Sequence, residues 1–312
     1  MTQTLKFEKV AVLGATGPTG RALAAELTGR GIGTRVMSRS AKGLEAAFPG
    51  AGIERRTGDA LDPAALAAAI DGCDLVVDCI GLPADRMADH PRTAHNLAAA
   101  IGRTGAKCLQ VSSYWCYMPI AETPVSEAHA RSGGPLWARL RRETEDILRA
   151  AGAAVIHLPD FFGPHVEVSV LQTAIKDAVA GKPMNWVGAA DVKRDHIYVP
   201  DAMRIAADLM VHEEAYGEDW IIPGSGPISA NEIAAILKGM LKRDVRVRAA
   251  GPFMLRLVSL FKKELRDFMP MVPEYVKPIS FDGAKIERLL GPLRHTAYEA
   301  ALAATVASLR AD

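Results

Sequence analysis

Long apolar runs are missing from this 312-residue chain, so no segment reads as a bilayer-spanning helix. A surplus of one charge is missing as well. With 37 Lys and Arg against 36 Asp and Glu, the net charge of +1 gives no general pull toward nucleic acid or membrane. Cysteine is scarce. The four present (Cys73, Cys79, Cys108, Cys116) make no Cys-x-x-Cys pair, and three lie in or beside apolar runs, as buried thiols in a reducing compartment would. The eight histidines lack metal-ligand spacing, so no metal site is expected. There is no internal repeat and no low-complexity linker. The opening Met1–Lys6 is too short and too polar for a secretory signal, and a cytoplasmic location is expected. With 49% hydrophobic and 23% charged residues, what remains is an ordinary globular chain, long enough to bury a substantial core.

What is present is a glycine turn at the start. Val10-Ala11-Val12-Leu13 reads as a strand, Gly14-Ala15-Thr16-Gly17-Pro18-Thr19-Gly20 as a tight turn, and Arg21–Leu27 as a helix. Glycines let the backbone turn sharply and let a ligand approach it closely. The N–H groups of a helix start, aided by the helix dipole, favour a diphosphate. The strand before and the helix after make Gly14, Thr16, Gly17, Pro18, Thr19 and Gly20 a candidate dinucleotide site.

Strand and helix signals then alternate, which predicts an α/β fold with a doubly wound parallel sheet (a Rossmann fold). Strands are expected at Gly33–Met37, Ile53–Thr57, Asp74–Gly81, Ala106–Ser112 and Ala154–Leu158. Helices are expected after Asp62-Pro63, over Arg92–Arg103 and over about Pro135–Ala151. Beyond this the alternation breaks. Pro159–Pro164 reads as a loop, Val168–Ala180 as a helix, Gly181–Lys193 as turns and His196–Val199 as a strand. Asp201 reads as a helix cap, and Ser229-Ala230-Asn231-Glu232 as a capping box. The expected division is a nucleotide-binding part over 1–165, with 195–222 returning to it. A smaller C-terminal substrate lobe takes 166–194 and 223–312.

Arg39 bears on the choice of dinucleotide. At the end of the second strand, a carboxylate would bind both ribose hydroxyls of NAD. Here Ser38-Arg39-Ser40 stands instead, with Lys42 near, and a guanidinium with hydroxyls suits a 2′-phosphate. NADP(H) is therefore expected in preference to NAD(H).

The spacing Gly-x-x-Gly-x-x-Gly resembles the turn of the short-chain dehydrogenase/reductase superfamily, in its extended and atypical branches. These are the epimerase/dehydratase group and the NmrA-like relatives. The resemblance implies that Asp59, with Ala60, faces the adenine, and that Ile80-Gly81 passes beneath the diphosphate and ribose. It implies that Ser112, ending the fifth strand, meets both cofactor and substrate. On the following helix, Trp137-Ala138-Arg139-Leu140-Arg141-Arg142-Glu143-Thr144-Glu145 is similar to the family's Tyr-x-x-x-Lys-x-x-x-Glu, with Trp137 for Tyr and Arg141 for Lys. An indole cannot serve as the acid, whereas Arg141 can still hold a ribose or face an oxyanion. Tyr117 is a candidate replacement for the acid, and packing of the pocket is its other reading. Tyr114, Trp137, Phe161 and Arg194 are the candidate substrate contacts, Arg194 through an anionic group; His196 reads as structural.

The expected function is an NADP(H)-dependent oxidoreductase step of the epimerase type on a small, partly apolar substrate, with Ser112, Tyr117 and Arg141 at the reacting oxygen. The alternative is a non-catalytic NADP-binding sensor or scaffold. No nucleic acid partner is expected, and a homodimer is left open. A last local bias lies between Lys238 and Asp267, where nine Lys and Arg face three Asp and Glu. Its core, Phe253–Lys263, reads as a lid helix with its apolar face over the cleft, or as a membrane- or partner-binding helix.

Overall fold

The computed structural model describes residues 4–50 and 52–311, with the side chain of residue 264 left out. The first half alternates as its pattern requires: β1 (Lys9–Leu13), α1 (Pro18–Gly29), β2 (Gly33–Ser38), α2 (Ala41–Ala47), β3 (Ile53–Thr57), α3 (Pro63–Ile70), β4 (Leu75–Asp78), α4 (His90–Thr104), β5 (Lys107–Ser113), α5 (Leu136–Ala150) and β6 (Ala154–Leu158). Pro63 takes the first position of α3, and the Asp62 carboxylate accepts from the Ala64 N–H at 2.9 Å.

After β6 come β7 (Asp160–Phe162), α6 (Val170–Val179), β8 (Met184–Val187), β9 (Arg194–Tyr198), α7 (Val199–Leu209), β10 (Asp219–Ile221), β11 (Pro227–Ile228), α8 (Ala230–Leu241) and β12 (Val247–Ala250). Five further helices close the chain: α9 (Pro252–Ser259), α10 (Lys263–Phe268), α11 (Val272–Tyr275), α12 (Ala284–Leu290) and α13 (Tyr298–Ala311).

Seven strands form one parallel sheet in the order β3-β2-β1-β4-β5-β6-β10. The order reverses between β1 and β4, and a crevice opens at the carboxyl ends of those strands. A helix layer lies on each face. On one side α1 and α7 pack with Val10, Val12, Leu23, Leu27, Met203 and Ala206. On the other, α3 and α4 pack with Leu13, Val76, Leu66 and Leu97. The four residues of β4 are buried, as a central parallel strand requires.

The second half holds two small sheets, β11-β9-β7 and β12-β8. Leu171, Ile175, Trp186, Ile233, Leu237 and Leu302 share a separate apolar core there. Between the two cores lies an aromatic cluster that includes Tyr114, Tyr117 and Tyr275. Three expectations need correction. The loop over Pro159–Pro164 contains β7, because Asp160–Phe162 finds a parallel partner in β9. The turn-rich stretch Gly181–Lys193 contains β8, paired with β12 some sixty residues on. Asp201 does not cap a helix: α7 begins at Val199, and the Asp201 carboxylate accepts from the Thr296 N–H at 2.6 Å. The capping box at Ser229 is present, with both of its reciprocal hydrogen bonds. All four cysteines are free and buried.

Candidate dinucleotide and substrate cleft

A cleft of ≈ 410 Å³ opens at the crevice. Its floor is the glycine turn. Gly14 has φ +66°, and a Cβ there would stand 2.7 Å from the carbonyl oxygen of Cys79 on the neighbouring strand end. At Gly20, a Cβ would stand 2.6 Å from the Cα of Ala15, so the absent side chain lets α1 close against the turn. The Gly17 N–H donates to the Gly14 carbonyl at 3.0 Å. The first N–H groups of α1 lack partners within the helix and point outward from its start. A dinucleotide's diphosphate would fit this backbone cradle.

The cleft is lined by Gly14, Thr16, Gly17, Pro18, Thr19, Ser38, Arg39, Asp59, Ala60, Ile80, Gly81 and Ser112, twelve of the thirteen residues expected to hold a cofactor. Gly20 does not line it and packs beneath. Ser38 and Thr16 share a hydrogen bond between their hydroxyls at 3.0 Å. The Ala15 N–H donates to Met37 and the Gly58 N–H to Ser38, tying the three strand ends together. Arg39 is exposed at the rim, with its guanidinium available to a ligand. Asp59 spends one carboxylate oxygen on the Leu61 N–H at 3.0 Å, and the Asn96 amide holds the Ala60 carbonyl at 3.0 Å.

Toward the substrate side the cleft is lined by Ser112, Ser113, Arg141, Leu158 and Phe161. Ser112 donates its hydroxyl to Glu145, a wholly buried carboxylate. Glu145 also accepts from Arg131 at 2.7 Å, and His157 Nε2 lies 3.4 Å away. Register explains the grouping, since Ser112 pairs with His157 across β5 and β6. Burial alone would raise the Glu145 carboxyl, but His157, Arg131 and Ser112 together hold it down at about 2. Glu145 is therefore an acceptor, and the Ser112 proton points inward. Arg141 lines the cleft with its Nε buried and unpartnered, and burial lowers its pKa. Asp78, at the end of β4, is pushed up to about 6 by burial against the opposing Ile80 N–H and Arg141.

The other candidates do not meet here. Tyr117 is fully buried outside the cleft lining, with its hydroxyl 3.0 Å from His157 Nδ1; the packing reading describes it. Arg194 is also buried. It donates to the carbonyls of Glu274 (2.8 Å) and Lys277 (2.7 Å) and to the Tyr114 hydroxyl (3.0 Å), and lies 3.5 Å from Asp160. Tyr114 and Tyr275 both donate to Asp160, at 3.3 and 2.8 Å. The structure thus places Tyr114 and Arg194 in an internal cluster and not against an incoming anion. Trp137 is half-buried and stacks on Trp115, ring centroids 5.9 Å apart, outside the cleft lining. His196 is a buried core residue beside Trp186, pushed down to about 3 by burial and Arg194. No residue of Phe253–Lys263 lines the cleft.

Sequence reasoning passed over Glu145, Arg131 and His157. Glu145 stood in the quoted helix pattern and could have been found there. Arg131 and His157 carry no signal of their own.

Residues 14–157 match a family described as NAD(P)H-binding. A comparison with curated proteins finds no match. Solved structures are similar over nearly the full length. One is an epimerase-like protein from Burkholderia cenocepacia J2315, 22% identical with TM-score 0.79, covering 98% of this chain and 99% of that one. A second is UDP-glucuronic acid 4-epimerase from Bacillus cereus in complex with NAD, 16% identical with TM-score 0.79, covering 97% and 99%. A third is UDP-glucose 4-epimerase from Thermotoga maritima with UDP-glucose, 17% identical with TM-score 0.81, again covering 97% and 99%. At such identities the likeness is one of fold, a Rossmann-type α/β fold. No helix among the described residues is long and apolar enough to cross a membrane.

Proposed function

From a chain that carries an NAD(P)H-binding family domain in the short-chain dehydrogenase/reductase fold, we propose an NADP(H)-dependent oxidoreductase of the epimerase/dehydratase type. The observation that carries this reading is one cleft lined by the glycine cradle, by Arg39 at the adenosine end, and by Ser112 with Arg141 at the other. Arg39 and the paired hydroxyls of Ser38 and Thr16 suit a 2′-phosphate, and no carboxylate stands at the end of β2 to repel one. Bound there, the nicotinamide would supply hydride chemistry.

The substrate is a small, partly apolar molecule seated between Phe161, Leu158 and Ser112, with residues 166–194 and 223–312 on the substrate side. Because Ser112 donates its hydroxyl to Glu145, it offers lone pairs to the cleft and accepts from a substrate hydroxyl. Arg141 places positive charge beside an oxygen that gains charge as hydride moves. No tyrosine, lysine or histidine lines the cleft among the described residues, so the proton exchanges with water at the open mouth.

That same absence favours a second reading, a sensor or scaffold that holds NADP(H) without turnover. The deciding experiment titrates the purified protein with both dinucleotides, then assays NADP⁺ reduction over an alcohol library and NADPH oxidation over a carbonyl library. Tighter NADP(H) binding with turnover supports the enzyme. Tight binding with no turnover in either direction moves the sensor ahead. Absence of dinucleotide binding overturns both.

A further inference from the structure

Outside the cleft, the surface of α9 and the turn after it is the feature that the proposed function leaves without a role. Among the described residues eight large apolar side chains stand prominently exposed. Six of them fall in one stretch: Phe253, Met254, Leu257, Val258, Leu260 and Phe261. The remaining two, Leu136 and Val168, are isolated in sequence, and single exposed apolar residues are ordinary. Clustering is not.

The spacing shows how the helix is used. Leu255 and Ser259, four residues apart, are buried and anchor α9 to the protein. Phe253, Met254, Leu257 and Val258 recur at one, four and five residues on another face, which is turned to solvent. Leu260 and Phe261 extend that face past the helix end, with Phe261 90% and Phe253 77% exposed. The expected lid would have hidden these side chains over the substrate, yet none of them lines the cleft.

Cations flank the apolar face. Arg256, Lys262, Lys263 and Arg266 are exposed, and among the described residues none of them takes part in an ion pair. The chain as a whole is nearly neutral, so this is a local charge beside a local apolar patch. A short helix with an apolar face and flanking Lys and Arg matches the boundary of an anionic bilayer. There the apolar side chains enter the acyl edge and the cations meet lipid phosphates. A second copy fits less well, since a two-fold contact would set these same four cations against their equals.

We propose that Phe253–Arg266 is a peripheral docking surface for anionic lipid bilayers, lying in the plane of the interface. The inference is independent of the dinucleotide and of any turnover. Co-sedimentation of the full chain with vesicles tests it, comparing phosphatidylcholine containing phosphatidylglycerol with phosphatidylcholine alone. Binding to the anionic vesicles, weakened by salt, is the expected result. Leu260→Ser with Phe261→Ser changes only exposed side chains, so the fold should survive, as a thermal melt will show. This variant should lose roughly tenfold or more in vesicle binding. Lys262→Glu with Lys263→Glu should cost at least about tenfold as well. Absence of binding to anionic vesicles at low salt overturns the proposal, and so does equal binding to neutral ones. A dimer in sedimentation velocity that Phe261→Ser dissolves, with no vesicle binding, overturns it in favour of a second copy.

Discussion

The two ends of the cleft are built from different materials. At the proposed dinucleotide end the lining is mostly backbone: a left-handed Gly14, a glycine under α1 and the open N–H groups of a helix start, with side chains such as Arg39 added at the rim. At the substrate end it is side chains, and most of the charged ones answer to each other. Glu145, behind Ser112, is held by Ser112, Arg131 and His157, and Arg194, outside the cleft lining, is held by Tyr114, Asp160 and two carbonyls. A backbone site announces itself in a few consecutive residues. A side-chain site depends on what the remainder of the chain brings to it, and a polar residue near the right place can be wholly committed to its neighbours.

The largest effect that would probe this contrast falls at the substrate end. Glu145→Ala removes the buried carboxylate shared by Ser112, His157 and Arg131, and although Arg131 keeps Asp146 and Asp219 it should destabilise by about 3 kcal/mol in denaturant unfolding, the lower end for a broken buried pair. Glu145→Gln should cost less. Its carboxyl sits at about 2 in the folded chain against an ordinary 4.5. The stabilisation is therefore complete above about pH 4.5 and is lost as pH falls toward 2, so the gap between the parent and Glu145→Gln should close over that window. A gap that stays constant would mean that Glu145 does not act as a buried carboxylate.

At the dinucleotide end, a paired comparison separates backbone strain from close approach. Gly14 and Gly31 both have positive φ, +66° and +74°, but a Cβ at Gly31 meets nothing within 4 Å. Gly31→Ala should cost only the strain, about 1–3 kcal/mol, and leave dinucleotide binding intact. Gly14→Ala adds the collision with the Cys79 carbonyl and should abolish saturable binding in a titration. Equal behaviour of the two variants would show that the cradle is not tuned to a ligand.

Arg39→Asp should shift the balance between NADP(H) and NAD(H) by about 1–3 kcal/mol, reversing the preference without changing the melting temperature. An unmoved ratio in paired titrations would take the guanidinium out of cofactor choice. The smallest effect belongs to Tyr117→Phe. Loss of one buried hydrogen bond to His157 should cost about 0.5–1.5 kcal/mol of stability and leave any turnover unchanged. A fall in turnover of roughly 10²-fold or more would instead restore Tyr117 as an acid acting from a rearranged site.

The elements were legible where one period ran without interruption. Apart from α2, a short helix that was not expected, the strands and helices from β1 to β6 stand within a few residues of their expected places, because alternating apolar strands and capped helices carry their own boundaries. The short strands β7 and β8 were not legible, since three or four residues among prolines and glycines become a strand only when a distant partner pairs with them. Asp201 shows the same dependence. Its sequence context reads as a cap, but Thr296, ninety-five residues away, supplies the N–H that it accepts.

By itself the sequence determined the parallel sheet, the glycine cradle and the residues that line it, because each follows from local backbone preference and consecutive residues. Only the tertiary structure decided which polar side chains remain free. It turned Arg194, Tyr114 and Tyr117 inward, pointed the Ser112 proton at Glu145, and left the apolar face of α9 in water. A side chain's partners are set by packing between segments far apart in the chain, and no local pattern encodes them.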